Sequence, residues 1–518
     1  MVLVPLSSAQ RRLWFLFCLE GPSATYNVPL VLRLRGLLDA SALALAVGDV
    51  VGRHESLRTV FVVDDDGVPH QRVDPLGDFA VRVVEGSGDL DALVAEEVGH
   101  TFDLANEWPV RASVVRISDV EHVLVLVLHH SAADGESLGP LGRDLAFAYG
   151  ARRRGRAPVF PELPVGYRDY ALWQEELLGE EDDPDSVVSR QLDYWRTELR
   201  DVPEPLALPL DRPRPAVASH HGDLVEFRVD PGLVASLEEL AARSECTMSM
   251  VFQAALGVLL FHLGAGRDVP VGSPIAGRVD AALDDLVGFF VNTWVLRVDL
   301  SGSPSFAEVL GRVREKALAA YDNQDVPFER VVEVLNPERS TAYNPLFQVM
   351  LAWQNTSYSA LELEGVSVTQ EIAGTGTARF DLLFNLHQPR GDAAATRAPV
   401  FGEIEYATEL FDRVSVEVLA ARFVRVLQQV VSTPSARIDG IDVLSVEERN
   451  WLLRELNPVR VEVPERSVVE LVAQRAREFP DEVAVVCGEE RLTYGALMAR
   501  SGRVACGLLS RGVGRGSL

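Results

Sequence analysis

The chain has 518 residues, too many for one ordinary hydrophobic core, so two or three folding units are expected. Hydrophobic residues make up 47% and charged residues 24%, the balance of a globular protein rather than a disordered one. The formal net charge of -27, from 76 acidic against 49 basic side chains, excludes the basic footprint that non-specific nucleic-acid binding requires.

At the start, Met1-Val2-Leu3-Val4-Pro5-Leu6 has no basic residue ahead of its apolar ones, and Arg11-Arg12 soon interrupts them. It does not read as a secretory signal. Asn27 to Gly36 reads as a strand and Asp39 to Val51 as a helix, with Asp39 at the N-cap. Glu55 to Val63 leads into a second strand, and the turn Asp64-Asp65-Asp66-Gly67 delivers Val68 to Val73 as a third. Val123 to Leu128 is a continuous apolar run, the pattern of a strand buried on both faces. Glu136 to about Tyr149 reads as a helix, with Pro140 in its first turn and Gly150 just past its end.

The basic run Arg152-Arg153-Arg154-Gly155-Arg156 fits a solvated helix end, where the macrodipole favours cations. The acidic run 180–185 reads as an exposed turn, and Arg212-Pro213-Arg214-Pro215 opens a surface loop. A second α/β unit is expected from about Leu224 to Ser435. It holds helices at Pro231–Arg243 and near Met248–Leu263, and strands at Val269–Gly272, Val295–Leu300 and Phe347–Trp353. The apolar stretch Val251 to Leu263 carries Gln253 and His262 and is too short to span a bilayer, so a cytoplasmic protein that crosses no membrane is expected. Cys18, Cys246, Cys487 and Cys506 are scattered without metal spacing, which predicts reduced thiols, mostly buried as small apolar side chains, and no metal site.

The most informative stretch is His129-His130-Ser131-Ala132-Ala133-Asp134-Gly135. A strand that brings two histidines to its end, followed by an Asp-Gly turn and a helix, holds an imidazole rigidly in a cleft. The spacing of paired histidines, three residues, then Asp-Gly resembles the signature of condensation domains and the chloramphenicol-acetyltransferase superfamily. Other blocks similar to those of condensation domains follow one another along residues 7–347. They are Ser7-Ser8-Ala9-Gln10-Arg11-Arg12-Leu13-Trp14-Phe15-Leu16, Arg53-His54-Glu55-Ser56-Leu57-Arg58-Thr59-Val60-Phe61 and Tyr167-Arg168-Asp169-Tyr170-Ala171-Leu172-Trp173. Val287-Gly288-Phe289-Phe290-Val291-Asn292-Thr293, Asn323-Gln324-Asp325-Val326-Pro327-Phe328-Glu329 and Asn344-Pro345-Leu346-Phe347 complete the series.

The chain thus resembles a condensation domain of a nonribosomal peptide synthetase. The resemblance implies an α/β fold of two chloramphenicol-acetyltransferase-like lobes, a V-shaped pseudo-dimer with the active site at the seam. The expected divisions are 1–175 for the first lobe, 176–440 for the second, 441–466 for a linker, and 467–518 for the truncated start of an adenylation domain. The implied reaction is peptide-bond formation, in which an acceptor amine attacks a donor thioester. Phosphopantetheine arms present both substrates on upstream donor and downstream acceptor carrier domains, and the chain itself is expected to bind no cofactor. A monomer, or part of a larger multidomain chain, is expected.

By the same resemblance His130 positions or deprotonates the amine. His129 is expected to point to the opposite face of the strand as a packed side chain. Asp134 is expected to pair with Arg278 behind the turn, and Gly135 to admit substrate close to the backbone, its amide a candidate oxyanion donor. Asn292 either donates a hydrogen bond at the seam or caps a turn. Glu136 stands where relatives often carry an aromatic or aliphatic residue, and a helix cap is its expected role. His220-His221-Gly222-Asp223 lacks the intervening residues of the motif and reads as solvated. The runs Leu19 to Asn27 and Thr375 to Asp381 resemble domains that take a D-configured donor. An epimerisation domain shares the histidine motif, but Ser137 is not followed by Trp. A catalytically inactive carrier-docking or recruitment module is the other alternative.

Overall fold

The computed structural model describes residues 3–86, 89–354, 361–389, 398–457, 465–514 and 516. Residues 458–464 of the expected linker, and residues 515, 517 and 518 of the expected adenylation segment, lie outside them. The chain divides into two compact units, residues 1–445 and residues 446–518.

The first unit holds two large sheets. One has five strands in the order Val366–Glu371, Asn27–Gly36, Glu121–His129, Val110–Ser118, Arg82–Glu85. Its central strand explains the apolar run in the sequence. Leu124, Leu126 and Leu128 face a core shared with the helices Ala40–Arg53 and Leu138–Arg153, while Val123, Val125 and Val127 face a second core with Phe61 and Phe102. Alternate residues of a strand point to opposite faces, so a strand covered on both sides must be apolar throughout.

The second sheet has six strands in the order Asn292–Asp299, Asp268–Ile275, Val349–Gln354, Leu382–His387, Val400–Ala407, Gly222–Val229. One face packs on the helices Pro231–Arg243, Met248–His262, Phe306–Tyr321 and Arg413–Ser432 around Phe252, Phe306 and Phe423. Met248–His262 is apolar because it is sunk in this core. Among the described residues no single helix is long and apolar enough to cross a membrane.

The two sheets are not independent in sequence. Val366–Glu371 leaves the region of the second sheet and pairs antiparallel with Asn27–Gly36 at the edge of the first, Val366 opposite Gly36 and Glu371 opposite Val31. Gly36 is at φ +139 and a Cβ there would lie 2.4 Å from the Gly365 carbonyl oxygen, so the crossing needs glycine at that point.

Several expectations shift. The helix after the histidine turn runs Leu138–Arg153, so it starts two residues late and passes through Gly150 rather than ending before it. Its first turn is set by the Asp134–Ser137 turn, and its last turn ends in Arg152 and Arg153, which pair with Asp49 and Glu364. The cysteines also differ from expectation: Cys18, Cys487 and Cys506 are exposed and Cys246 is half-buried. Cys18 lies on the solvent face of the helix Ser8–Glu20, and the other two exposed thiols belong to the small second unit, which buries little. That unit consists of the helix Val468–Glu478, the antiparallel pair Val483–Cys487 and Glu490–Thr493, and the helix Tyr494–Leu509.

Candidate active site at the seam of the two sheets

The strand Glu121–His129 ends on His129, and the chain turns at once. His129 stays inside. Its Nδ1 meets the Ser131 hydroxyl at 2.9 Å and accepts from the Ser131 amide at 3.2 Å, and its ring stands edge-on to Phe102 at 5.9 Å. Burial first, then the charge of Arg379, lowers its pKa to about 3, so the imidazole is neutral.

His130 turns the other way. Its amide donates to the Tyr26 carbonyl at 2.8 Å, and its ring packs on Phe289 with centroids 4.5 Å apart. Nδ1 is buried and has no hydrogen-bond partner from another residue. Burial, then Arg379, His129 and Arg12, lower this pKa also to about 3, against the partial help of its own backbone. His130 is therefore a neutral imidazole between the end of the first sheet and the Phe289 loop, reached in part by solvent.

The turn behind it is clamped by the loop that joins the strands Asp268–Ile275 and Asn292–Asp299. Asp134 is fully buried, with Arg278 Nη2 3.3 Å from its Oδ1 and the Phe290 amide donating to its Oδ2 at 2.9 Å. Arg278 also donates to the Leu283 carbonyl and lies over the Phe290 ring at 4.1 Å. Ser137 completes the clamp. Its hydroxyl is 2.7 Å from Asp134 Oδ1 and 2.9 Å from the Gly288 carbonyl, and it accepts from Arg278 at 2.9 Å and from the Gly288 amide at 3.1 Å.

Tyr167, at the start of the helix Tyr167–Leu178, holds the same loop. Its hydroxyl donates to the Phe289 carbonyl at 2.6 Å and meets the Ser7 hydroxyl at 2.8 Å. Burial raises its pKa well above the usual phenol range, so it stays a neutral donor. A Cβ on Gly288 would stand 2.3 Å from the Tyr167 ring, which is why the loop can lie this close.

Gly135 lies against the second sheet, where an added Cβ would be 3.0 Å from Gln354 Oε1. Asn292 does not point a free amide at the histidines. Its Nδ2 donates to the Gln324 and Val326 carbonyls at 2.9 and 2.7 Å, and its Oδ1 accepts from the Phe328 amide at 3.2 Å. It fastens the loop 323–328 to the strand Asn292–Asp299. Glu136 precedes the cap residue Ser137 and lies outside the helix.

Ser8, Arg12, Trp173, Phe289, Asn292 and Pro327 line a cleft along the seam, and Phe289 is the wall it shares with His130. Tyr167 and Phe289 lie inside two of the sequence blocks, which do not reveal that the two residues meet, and Ser137 lies outside every block. The signal for Ser137 is the Asp134-x-x-Ser137 spacing, in which the Asp134 side chain accepts from the Ser137 amide in the turn ahead of the helix.

The comparisons with known proteins bear on this geometry. Residues 2–453 match the family described as Condensation domain. The chain belongs to the condensation-domain family. It is 54% identical, over 99% of its length, to a probable non-canonical nonribosomal peptide synthetase, CymA, of Salinispora arenicola, and spans 7% of that protein. Among solved structures, the X-domain from teicoplanin biosynthesis is 37% identical with a TM-score of 0.79, covering 86% of this chain and 98% of that one. The first condensation domain of the calcium-dependent antibiotic synthetase, with a substrate analogue bound, superposes with a TM-score of 0.72 at 21% identity, over 86% of this chain and all of that one. The fold is thus the two-lobed chloramphenicol-acetyltransferase-like pseudo-dimer of condensation domains. Condensation domains form amide bonds within nonribosomal peptide synthetases and work with carrier domains.

Proposed function

We propose that this chain joins a donor acyl thioester to an acceptor amine, both held on phosphopantetheine arms of partner carrier domains, with His130 at the point of bond formation. The arms are substrate brought by the partners, not a resident group. The observation that carries the reading is a neutral imidazole at the lobe seam, on a turn that Asp134, Arg278 and Ser137 hold rigid.

An imidazole with a pKa of about 3 takes little from a neutral amine. Its work is to accept a hydrogen bond that orients the amine, then to receive the proton once attack has made that nitrogen cationic. Placing two tethered reactants in contact contributes the larger share, about 7–11 kcal/mol for well-oriented partners. His129, Asp134, Arg278 and Gly135 support the turn, and Asn292 supports the wall of the cleft. In this reading residues 1–175 and 176–440 are the lobes, 441–466 the connector and 467–518 the opening of an adenylation domain.

The test is a condensation assay with donor and acceptor loaded on separate carriers. His130→Ala is expected to lower product formation by about 10²-fold or more, with the circular dichroism spectrum unchanged. Unchanged product would remove His130 from the centre and leave proximity as the source of rate. A second reading, a docking module without turnover, has one observation on its side: the teicoplanin X-domain has also been solved in complex with OxyB. Carrier binding without product from the wild type would favour it.

A further inference from the structure

The segment Gly374 to Asp381 is unusually well fastened for a stretch without helix or strand. The Gly222 amide donates to the Gly376 carbonyl and the Ala378 amide to the His220 carbonyl, both at 2.9 Å, and His221 bridges Thr377. A Cβ on Gly222 would fall 2.3 Å from the Thr377 backbone, so the His220-His221-Gly222 run serves as a bed for this segment. Asp381 is gripped by Arg214, and Asn344 donates to the Arg379 carbonyl at 2.6 Å. The Arg379 amide donates to Glu405 at 3.1 Å.

The platform delivers one side chain across the seam. The Arg379 guanidinium lies over the ring of Tyr26, 5.5 Å from its centroid, and Tyr26 is the residue whose carbonyl takes the His130 amide. Among the described residues this guanidinium makes no hydrogen bond and has no carboxylate within 4 Å, and its Nε is buried. The other cations of the seam are spoken for, Arg12 by Glu329 and Arg278 by Asp134. A half-buried guanidinium whose buried Nε lacks a partner is costly to hold, and its charge acts on both histidines as well as on the Glu405 carboxyl. Such a group suits a place where negative charge appears during reaction.

We propose that Arg379 is the donor to the reacting carbonyl oxygen, stabilising the oxyanion that forms when the amine adds to the donor thioester. The assignment rests on the condensation reading above. The amine lone pair forms the C–N bond as the carbonyl π pair moves to oxygen, beside Arg379. Collapse restores the carbonyl and breaks the C–S bond. The proton lost by nitrogen, passed through His130, ends on the departing pantetheine sulfur. The same positive charge disfavours a cationic amine in the cleft, which keeps the nucleophile in its reactive form.

The full chain is titrated with a pantetheine-linked alkylphosphonate, whose phosphorus replaces the thioester carbon, and with the matched thioether, which lacks both oxygens. Arg379→Gln is expected to weaken the phosphonate about 10- to 100-fold, the worth of one charge-assisted hydrogen bond, and the thioether less than about twofold. Arg379→Lys, which keeps the charge, is expected to recover most of the phosphonate affinity. Equal weakening of both probes, or none of either, overturns the assignment. Binding needs no turnover, so the two readings fail separately. A wild type that makes no peptide yet shows the Arg379-dependent phosphonate preference defeats the condensation reading alone.

Discussion

At the scale of single residues, the buried pair behind the turn governs stability more than chemistry. Asp134 is wholly enclosed, and removing its cation leaves a carboxylate with no compensating charge. Arg278→Ala is expected to lower the unfolding free energy by about 3–5 kcal/mol, read from urea denaturation. Asp134→Asn combined with Arg278→Met is expected to cost less than the sum of the two single changes, because the double variant strands no charge. Additive costs would show that the pair does not act as a unit. His129 gives a pH dependence whose sign is fixed by its lowered pKa. Unfolded, it takes a proton as the pH falls through about 6.5, whereas folded it stays neutral down to about 3. Its contribution is complete above about 6.5 and is lost as the pH falls toward 3, by up to about 1.4 kcal/mol per pH unit. His129→Asn keeps an acceptor near the Nδ1 position and cannot titrate. Its urea midpoint is expected to fall less steeply than that of the wild type between pH 6.5 and 5.

At the scale of elements, the loop between the strands Asp268–Ile275 and Asn292–Asp299 ties the second sheet to the histidine turn through Arg278, Gly288, Phe290 and the Phe289 ring. Gly288→Ala is expected to cost about 1–3 kcal/mol and to depress peptide formation, since the new Cβ must displace the Tyr167 ring. Gly139→Ala, in open space in the first turn of the following helix, is the control; it is expected to leave stability unchanged or raise it by up to about 1 kcal/mol. A larger loss at Gly139 than at Gly288 would sink this view of the loop. What the sequence could and could not tell follows the same division. Glu121–His129 and Asn27–Gly36 were legible because a doubly covered strand leaves an apolar run and a bounded one leaves flanking turns. Met248–His262 was legible as an apolar helix for the same reason. Val366–Glu371 was not, because it is short, half-exposed and polar on one face, and its partner lies more than 300 residues away in sequence. The helix start was misplaced because Asp134 and Ser137 form their own capped turn, and Glu136 looks like a first-turn acid when only its charge is read. Tyr167 and Phe289 act through tertiary contacts that no spacing encodes.

At the scale of the whole molecule, the two compact units differ in what they bury. Residues 1–445 contain cores on both faces of one sheet and one face of another. In residues 446–518, Ala476 alone among the described residues is buried, while Val468, Val469, Val486 and Leu509 are more than 60% exposed. A segment of this size without an enclosed core cannot offset its chain entropy, about 1–2 kcal/mol for each ordered backbone residue. Its strands and helices are locally consistent, with Ser467 and Glu470 forming a capping box, but local capping contributes only about 0.5–2 kcal/mol. Residues 446–518 expressed alone are therefore expected to show no cooperative thermal transition and to exchange their amide hydrogens freely. A chain ending at Ser445 is expected to keep the thermal midpoint of the 518-residue chain and its rate of peptide formation. Cooperative unfolding of the short piece would mean that its exposed valines and leucines cluster in a way that their exposure here does not show. Loss of peptide formation on removing it would mean that the histidine turn needs more than the contacts from Asp134, Ser137, Arg278 and Phe290.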